Sequence, residues 1–135
     1  MIKTEFITRD EHAYSIETEK LDVLSTDGRR TILSNHMAIM MPLLMGVVET
    51  EYNGKLDHYV IDDGVIFFEK NEASILSDRA VRCEEIDTEK AKAHIEKARK
   101  IISESDDEDD IYNAKMSLKW NECLLKARER YSTKR

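Results

Sequence analysis

Few residues in this chain have the types and spacings that chemistry needs. The histidines are His12, His36, His58 and His94, and the cysteines are Cys83 and Cys123. None of them falls in a paired spacing that would write a zinc site into one stretch of chain. Ser34 lies close to His36, but a nucleophile needs an oriented base and an oxyanion site, which two loop neighbours do not supply. His36 reads instead as a residue that packs or hydrogen-bonds within its loop. Gly54-Lys55 lacks the upstream glycine of a phosphate-binding loop, where Glu49 stands, and no Ser or Thr follows the lysine. The run Asp106 to Asp110 is acidic enough to hold Ca²⁺ weakly, yet it lacks the glycine and terminal glutamate of an EF-hand loop. What remains is charge. Lys115, Lys119, Lys126, Arg128, Arg130, Lys134 and Arg135 crowd the last stretch. Singly each reads as a solvated side chain or a cation suited to a helix C-terminus; together they point to an acidic partner.

Composition narrows the classes further. The 135 residues fit one ordinary domain or two small pieces, and 28 acidic against 21 basic side chains leave a net charge of −7. That balance disfavours a duplex-wrapping protein, which would carry a basic footprint. With 4 Gly and 1 Pro the chain is neither collagenous nor of low complexity. Its longest apolar stretch, Met37 to Val48, is interrupted by Pro42 and Gly46 and falls short of the ~20 residues of a membrane span. Met1 to Glu5 shows no signal-peptide pattern. The expectation is a soluble, non-secreted chain with no membrane span, whose two cysteines are reduced thiols.

The charge is uneven. Residues 1–85 carry 9 basic and 17 acidic side chains, whereas residues 86–135 carry 12 and 11. This shift places a domain boundary near residue 85, and the apolar period changes there too. Before it, Ile2-Thr4-Phe6, Tyr14-Ile16-Thr18 and Leu56-His58-Val60 alternate with their neighbours, as half-buried strands do. Val65 to Phe68 is a continuous apolar run, expected to be a strand buried on both faces. Asp27-Gly28, Asn53-Gly54 and Asp63-Gly64 are turn signals, and Asn-Gly predicts a type I′ hairpin. After residue 85 there is no Gly or Pro. Ala91, Ile95, Ala98 and Ile102 form one helical stripe, with Asp87 as N-cap. Ile111, Ala114, Leu118 and Leu125 form another, with Met116, Trp120, Cys123 and Leu124 on adjoining faces. Trp120 reads as a packing anchor between the helices. Ser103 to Asp110, dense in acid, is the turn between them, its last acids suiting the positive end of the second helix. The predicted fold is an N-terminal all-β sandwich or barrel over 1–85, followed by an antiparallel α-helical hairpin over 86–135.

That order of elements, together with four short motifs, resembles a known family. Gly28-Arg29-Arg30-Thr31-Ile32-Leu33-Ser34-Asn35-His36-Met37-Ala38 is similar to the Gly-x-x-Gly-Ile-Leu-Pro-Gly-His-x-Pro segment of F-type ATP synthase epsilon subunits. Tyr59-Val60-Ile61-Asp62-Asp63-Gly64-Val65-Ile66-Phe67-Phe68-Glu69 resembles the family's Tyr-x-x-x-Gly-Gly-x-Leu-Glu-Val strand. Glu85-Ile86-Asp87-Thr88-Glu89-Lys90-Ala91 resembles its Ile-Asp-x-x-Arg-Ala helix opening, and Asp109-Asp110-Ile111 with Ala114 its second helix start. The departures are informative. Family prolines fall at Ser34 and Ala38, its glycines at Thr31 and Asn35, and its Gly-Gly pair at Asp63-Gly64. A threonine at position 31 implies that the backbone there does not need positive φ.

The resemblance implies a non-catalytic subunit of the rotating central stalk, coupling proton flow to ATP synthesis. It would act at the cytoplasmic face of the plasma membrane as a peripheral component of the complex. By resemblance, a loop carrying Gly28, Arg29, Arg30 and Thr31 contacts the c-ring. Ile32, Leu33, Asn35, His36, Met37, Ile39 and Met40 contact the gamma subunit, and Met41 adds apolar surface that repacks easily; any one of these is about as readily plain core. The hairpin is the regulatory element, with Lys115, Lys119, Lys126, Arg128 and Arg130 facing acidic segments of the catalytic beta subunits and inhibiting hydrolysis. Relatives that bind ATP on this hairpin use a pattern that falls here on Asp87, Lys90, Ala91 and Lys97. Its later arginines fall on Trp120 and Leu124, and an upstream acid on Val81, so the implied nucleotide site is weak and no cofactor is expected. Lys90 in place of arginine loses the bidentate fork. Two rival classes compete. One is a stand-alone binding module whose basic second helix contacts an acidic partner or nucleic acid. The other is a small enzyme with a pocket lined by His36 and His58.

Overall fold

In a computed structural model, which describes residues 1–9 and 14–131, the chain divides into two compact units, Met1–Arg82 and Cys83–Arg135. The first unit contains β1 (Ile2–Thr8), β2 (Tyr14–Thr18), β3 (Lys20–Ser25), β4 (Gly28–Leu33) and β5 (Ile39–Leu43). It continues through β6 (Gly46–Tyr52), β7 (Lys55–Ile61), β8 (Gly64–Glu69), β9 (Glu72–Ser77) and β10 (Ala80–Arg82). The period-two pattern sets their faces. In β1, Ile2, Thr4 and Phe6 are buried while Lys3 and Glu5 face out. The strands hydrogen-bond in the order β10-β7-β6-β3-β5-β8-β9-β1-β2, with β4 added on β3. All pairs are antiparallel except β1 with β9, in which Lys3 stands opposite Glu72.

The sheet curls so that its two ends meet. The Arg82 N–H donates to the Tyr14 hydroxyl at 3.1 Å, joining β10 to β2. Inside the curl Phe6 stacks on Tyr59 with ring centroids 4.5 Å apart, and Tyr14 meets Tyr59 edge-on at 5.1 Å. Leu21, Val23, Ile32, Val48, Ile66, Phe68 and Ile75 complete this core. Thr4 of β1 and Thr18 of β2, buried in diagonal positions on neighbouring strands, share a hydroxyl hydrogen bond at 3.3 Å.

Two sequence expectations fail here. Val65 to Phe68 is not buried on both faces: Ile66 and Phe68 enter the core, while Phe67 is 43% exposed. A curled sheet has one inner and one outer face, so a continuous apolar run must show half its side chains outward. In β7 the core face is Tyr59 and Ile61; of the alternating set Val60 is also fully buried, His58 is half-buried and Leu56 is exposed.

The turns follow residue chemistry. Asn53 and Gly54 both have positive φ, 52° and 75°, as type I′ geometry requires. A second such turn, Lys70-Asn71 with φ 52° and 60°, carries no glycine signal and is invisible in the sequence. Thr31 lies in a strand with ordinary φ, whereas Asn35 sits at φ 68°, a region Asn tolerates.

The second unit opens with a 3-10 turn, Cys83–Glu85, then α1 (Thr88–Glu104) and α2 (Glu108–Tyr131). The Asp87 carboxylate accepts the Lys90 N–H at 3.1 Å and caps α1. Asp87→Ala is expected to destabilise α1 by about 1 kcal/mol, read as faster amide hydrogen exchange over its first two turns; unchanged exchange would deny the cap its role. Ala91, Ile95 and Ala98 are buried along the expected stripe. The connection is shorter than the acidic run. Only residues 105–107 lie between the helices, and Asp107 accepts the Asp109 and Asp110 N–H groups at 2.9 and 3.4 Å. Glu108, Asp109 and Asp110 therefore belong to the first turn of α2, where the helix dipole favours acids. The architecture is the expected one, a β-sandwich followed by two helices.

Candidate functional site

Several exposed apolar side chains of the first unit lie together on the outer face of β5, β8, β9 and β1. Met40 of β5 stands opposite Phe67 of β8; Pro42 stands opposite Val65, which in turn faces Leu76 of β9. Leu76 is opposite Ile7 of β1. Met40, Phe67, Ile7 and Leu76 are 67%, 43%, 42% and 38% exposed. Four adjacent strands thus present a contiguous apolar surface, which on a small water-exposed domain marks a contact site. Sequence reasoning reached Met40 but missed Phe67, Leu76 and Ile7. The available signal was the unbroken run Val65 to Phe68, whose outward half had to go somewhere.

The segment expected to be a loop from Gly28 to Thr31 is strand β4, because Gly28, at φ 111°, turns the chain straight back onto β3. Arg29 donates to Asp22 Oδ1 at 2.7 Å and to the Val47 carbonyl at 2.9 Å, and Thr31 Oγ1 donates to Asp22 Oδ2 at 3.1 Å. Arg30 is exposed. Ile32 cannot serve a partner: at 1% exposure it is core, as is Met41 at 8%, because both point to the inner face. Leu33 and Met37 are exposed at 54% and 77%, and Ile39 is half-buried against the core. Between them the Asn35 N–H donates to Asn71 Oδ1 at 2.6 Å while Asn71 Nδ2 donates to Asn35 Oδ1 at 3.0 Å. His36 is held by Nδ1 to the Met37 carbonyl at 2.8 Å and lies edge-on to Phe68. His58 is engaged elsewhere, its Nε2 lying 2.9 Å from Glu49 Oε2. The two histidines do not converge. His12 lies outside the described residues. Among those residues no cluster of three or more His, Cys, Asp or Glu could hold a metal.

On α2, Lys115, Lys119, Lys126 and Arg130 are all exposed and at helical spacing lie along one stripe. Arg128 differs from them: it is half-buried and Nη1 donates to the Cys83 carbonyl at 3.0 Å, which removes it from that surface. Lys134 and Arg135 lie outside the described residues. Of the residues on the nucleotide pattern, Asp87 is committed to its cap and Ala91 is buried. Lys97 lines a groove of about 500 Å³ with His94, Asn113 and Ser117. No described helix is long and apolar enough to cross a membrane.

The chain's likenesses agree with one another. Residues 1–83 match the family model of the ATP synthase delta/epsilon chain beta-sandwich domain. The ATP synthase epsilon chain of Lactobacillus gasseri is 31% identical over 138 residues, covering 97% of this chain and 94% of the relative. That of Alkaliphilus oremlandii is 33% identical over 106 residues, covering 78% and 79%. Among solved structures, a chain of the Euglena gracilis mitochondrial ATP synthase, OSCP/F1/c-ring, superposes with a TM-score of 0.72 at 29% identity, covering 93% of this chain and 80% of that one. A chain of the Tetrahymena thermophila enzyme shares the fold, with a TM-score of 0.55 at 10% identity. A family model spanning more than half of the sequence, and relatives aligned over nearly all of it, establish that this chain belongs to the ATP synthase epsilon chain family.

Proposed function

We propose that this chain is the epsilon subunit of the central stalk in a proton-translocating F-type ATP synthase, itself non-catalytic, held peripherally at the cytoplasmic face of the plasma membrane. The observation that carries the reading is the apolar outer face of β5, β8, β9 and β1. A stalk subunit must pass torque through a broad contact, and a close-packed sandwich deforms little under load. Met40, Phe67, Leu33 and Met37, with Asn35, His36 and Ile39 beside them, form the surface for gamma. Arg30, flanked by Gly28, Arg29 and Thr31, faces the c-ring. Residues 86–135 act as the regulatory hairpin, with Lys115, Lys119, Lys126 and Arg130 directed at acidic segments of the catalytic subunits. Each exposed ion pair contributes only ~0.2–1 kcal/mol, so the stripe works as a set. ATP has no strong site here, since Asp87 already serves its helix.

Affinity capture of the tagged chain from its own membranes tests the assignment. Recovery of gamma with the catalytic alpha and beta subunits is the expected result; recovery of nucleic acid alone would remove the stalk role. Truncation after Glu85 is expected to raise ATP hydrolysis by the assembled complex about fivefold or more, the usual scale of a regulatory coupling. Unchanged hydrolysis would leave the hairpin without an inhibitory function.

A further inference from the structure

The seam between α1 and α2 is made of small side chains. Ala91, Ala98 and Ala114 are buried with Ile95, and with them is a polar residue, Asn121, only 5% exposed. Two grooves mark the flanks of the seam. One runs past Ile95, Arg99 and Leu125, the other past Lys97, Ala114 and Ser117. Asn121, one turn beyond Ser117 and one before Leu125, lies between them and so faces α1. Its amide does not reach across. Nδ2 donates to the Ser117 carbonyl at 2.8 Å and to the Ser117 hydroxyl at 3.3 Å, both one turn back on its own helix. A bond that does cross, Arg99 Nη2 to Glu122 Oε2 at 3.3 Å, joins two exposed side chains and is weak for that reason.

We infer that Asn121 is a release residue, a buried side chain whose hydrogen bonds stay within α2, so that α1 can leave the seam without breaking them. A leucine there would add apolar burial and strengthen the seam; a side chain bonded across it would latch the helices. Asn121 does neither, which keeps the hairpin closed but separable. Its role is in positioning the helices, not in contacting a ligand.

Hydrogen exchange on the full chain tests this, because α1 draws most of its stability from packing its apolar face and exchanges faster once parted. Asn121→Leu is expected to slow exchange at Ile95 and Ala98 at least tenfold, with strand amides unchanged. Unaltered or faster exchange would overturn the inference. Should the leucine variant fail to fold, Asn121→Ala decides. Exchange within about threefold of the parent supports a residue that holds nothing across the seam, and a larger acceleration refutes it. The regulatory consequence rests on the hairpin reading above, under which the leucine variant inhibits hydrolysis less in the complex. Slowed exchange with unchanged inhibition would keep the seam inference and discard that reading.

Discussion

Gly64→Ala is expected to destabilise the sandwich by ~3 kcal/mol, a large share of the 5–15 kcal/mol that a domain of this kind commands. Gly64 begins β8 and pairs with Leu43 on one side and Ser77 on the other. Its φ is not in the left-handed region, so conformational freedom is not the reason for glycine here. The reason is space: a Cβ would fall far inside van der Waals contact distance of the Leu76 carbonyl oxygen. A strand backbone cannot move aside without disturbing the β8–β9 ladder. Gly46→Ala is the natural comparison, since its Cβ would lie 3.1 Å from Leu24 Cδ2, the free end of a flexible side chain. That variant should lose less than ~1 kcal/mol. Urea unfolding midpoints of the pair check the argument; equal losses would refute the close approach at Gly64.

Replacing both Met40 and Phe67 by aspartate should weaken assembly with gamma at least a hundredfold while leaving the unfolding midpoint nearly unchanged. The two residues face each other across β5 and β8 and are 67% and 43% exposed. Little core packing is lost, whereas two carboxylates are placed where an apolar interface would have to desolvate them. Titration of the variant against gamma-containing complex, followed by surface binding, reads the effect. Undiminished binding would move the docking site off this face and with it the main support for the stalk assignment. A parallel fall in stability would show instead that the pair belongs to the fold.

The two folds within the chain were legible to different depths. Strand faces came from alternation in β1 and β2, and α1 from a four-three-four stripe begun by a capping aspartate; these signals are local, and local physics wrote them. The Lys70-Asn71 turn was missed because lysine is rarely left-handed and no glycine follows Asn71 to complete the usual signal. Which face of β8 lay outward was also hidden. Period two says that sides alternate, but a continuous apolar run satisfies either choice, and the outcome depends on strands distant in sequence. The candidate surface suffered most from this. Met37 and Met40 stood in an apolar stretch that the sequence could flag, yet Ile32 and Met41 in the same stretch turned inward. Phe67, Leu76 and Ile7 become neighbours of Met40 only through strand order. Arg128 looked like one more basic side chain until its bond to the Cys83 carbonyl was visible, a contact between residues far apart in the chain.

The parallel pairing of β1 with β9 has a consequence for biosynthesis. Lys3 stands opposite Glu72, so β1 must wait for almost the whole sandwich to be made before its ladder with β9 can close. Contacts this distant in sequence carry a high loop-closure entropy and form slowly. Until then β1 has only β2 beside it, and its apolar side, Ile2 and Phe6, has no core to enter. The helical unit, by contrast, depends on neighbours a few turns away and can assemble as fast as it is synthesised. The nascent chain therefore passes through a stage in which β1 is its least protected strand, and that interval is where chaperone binding or misassembly would act.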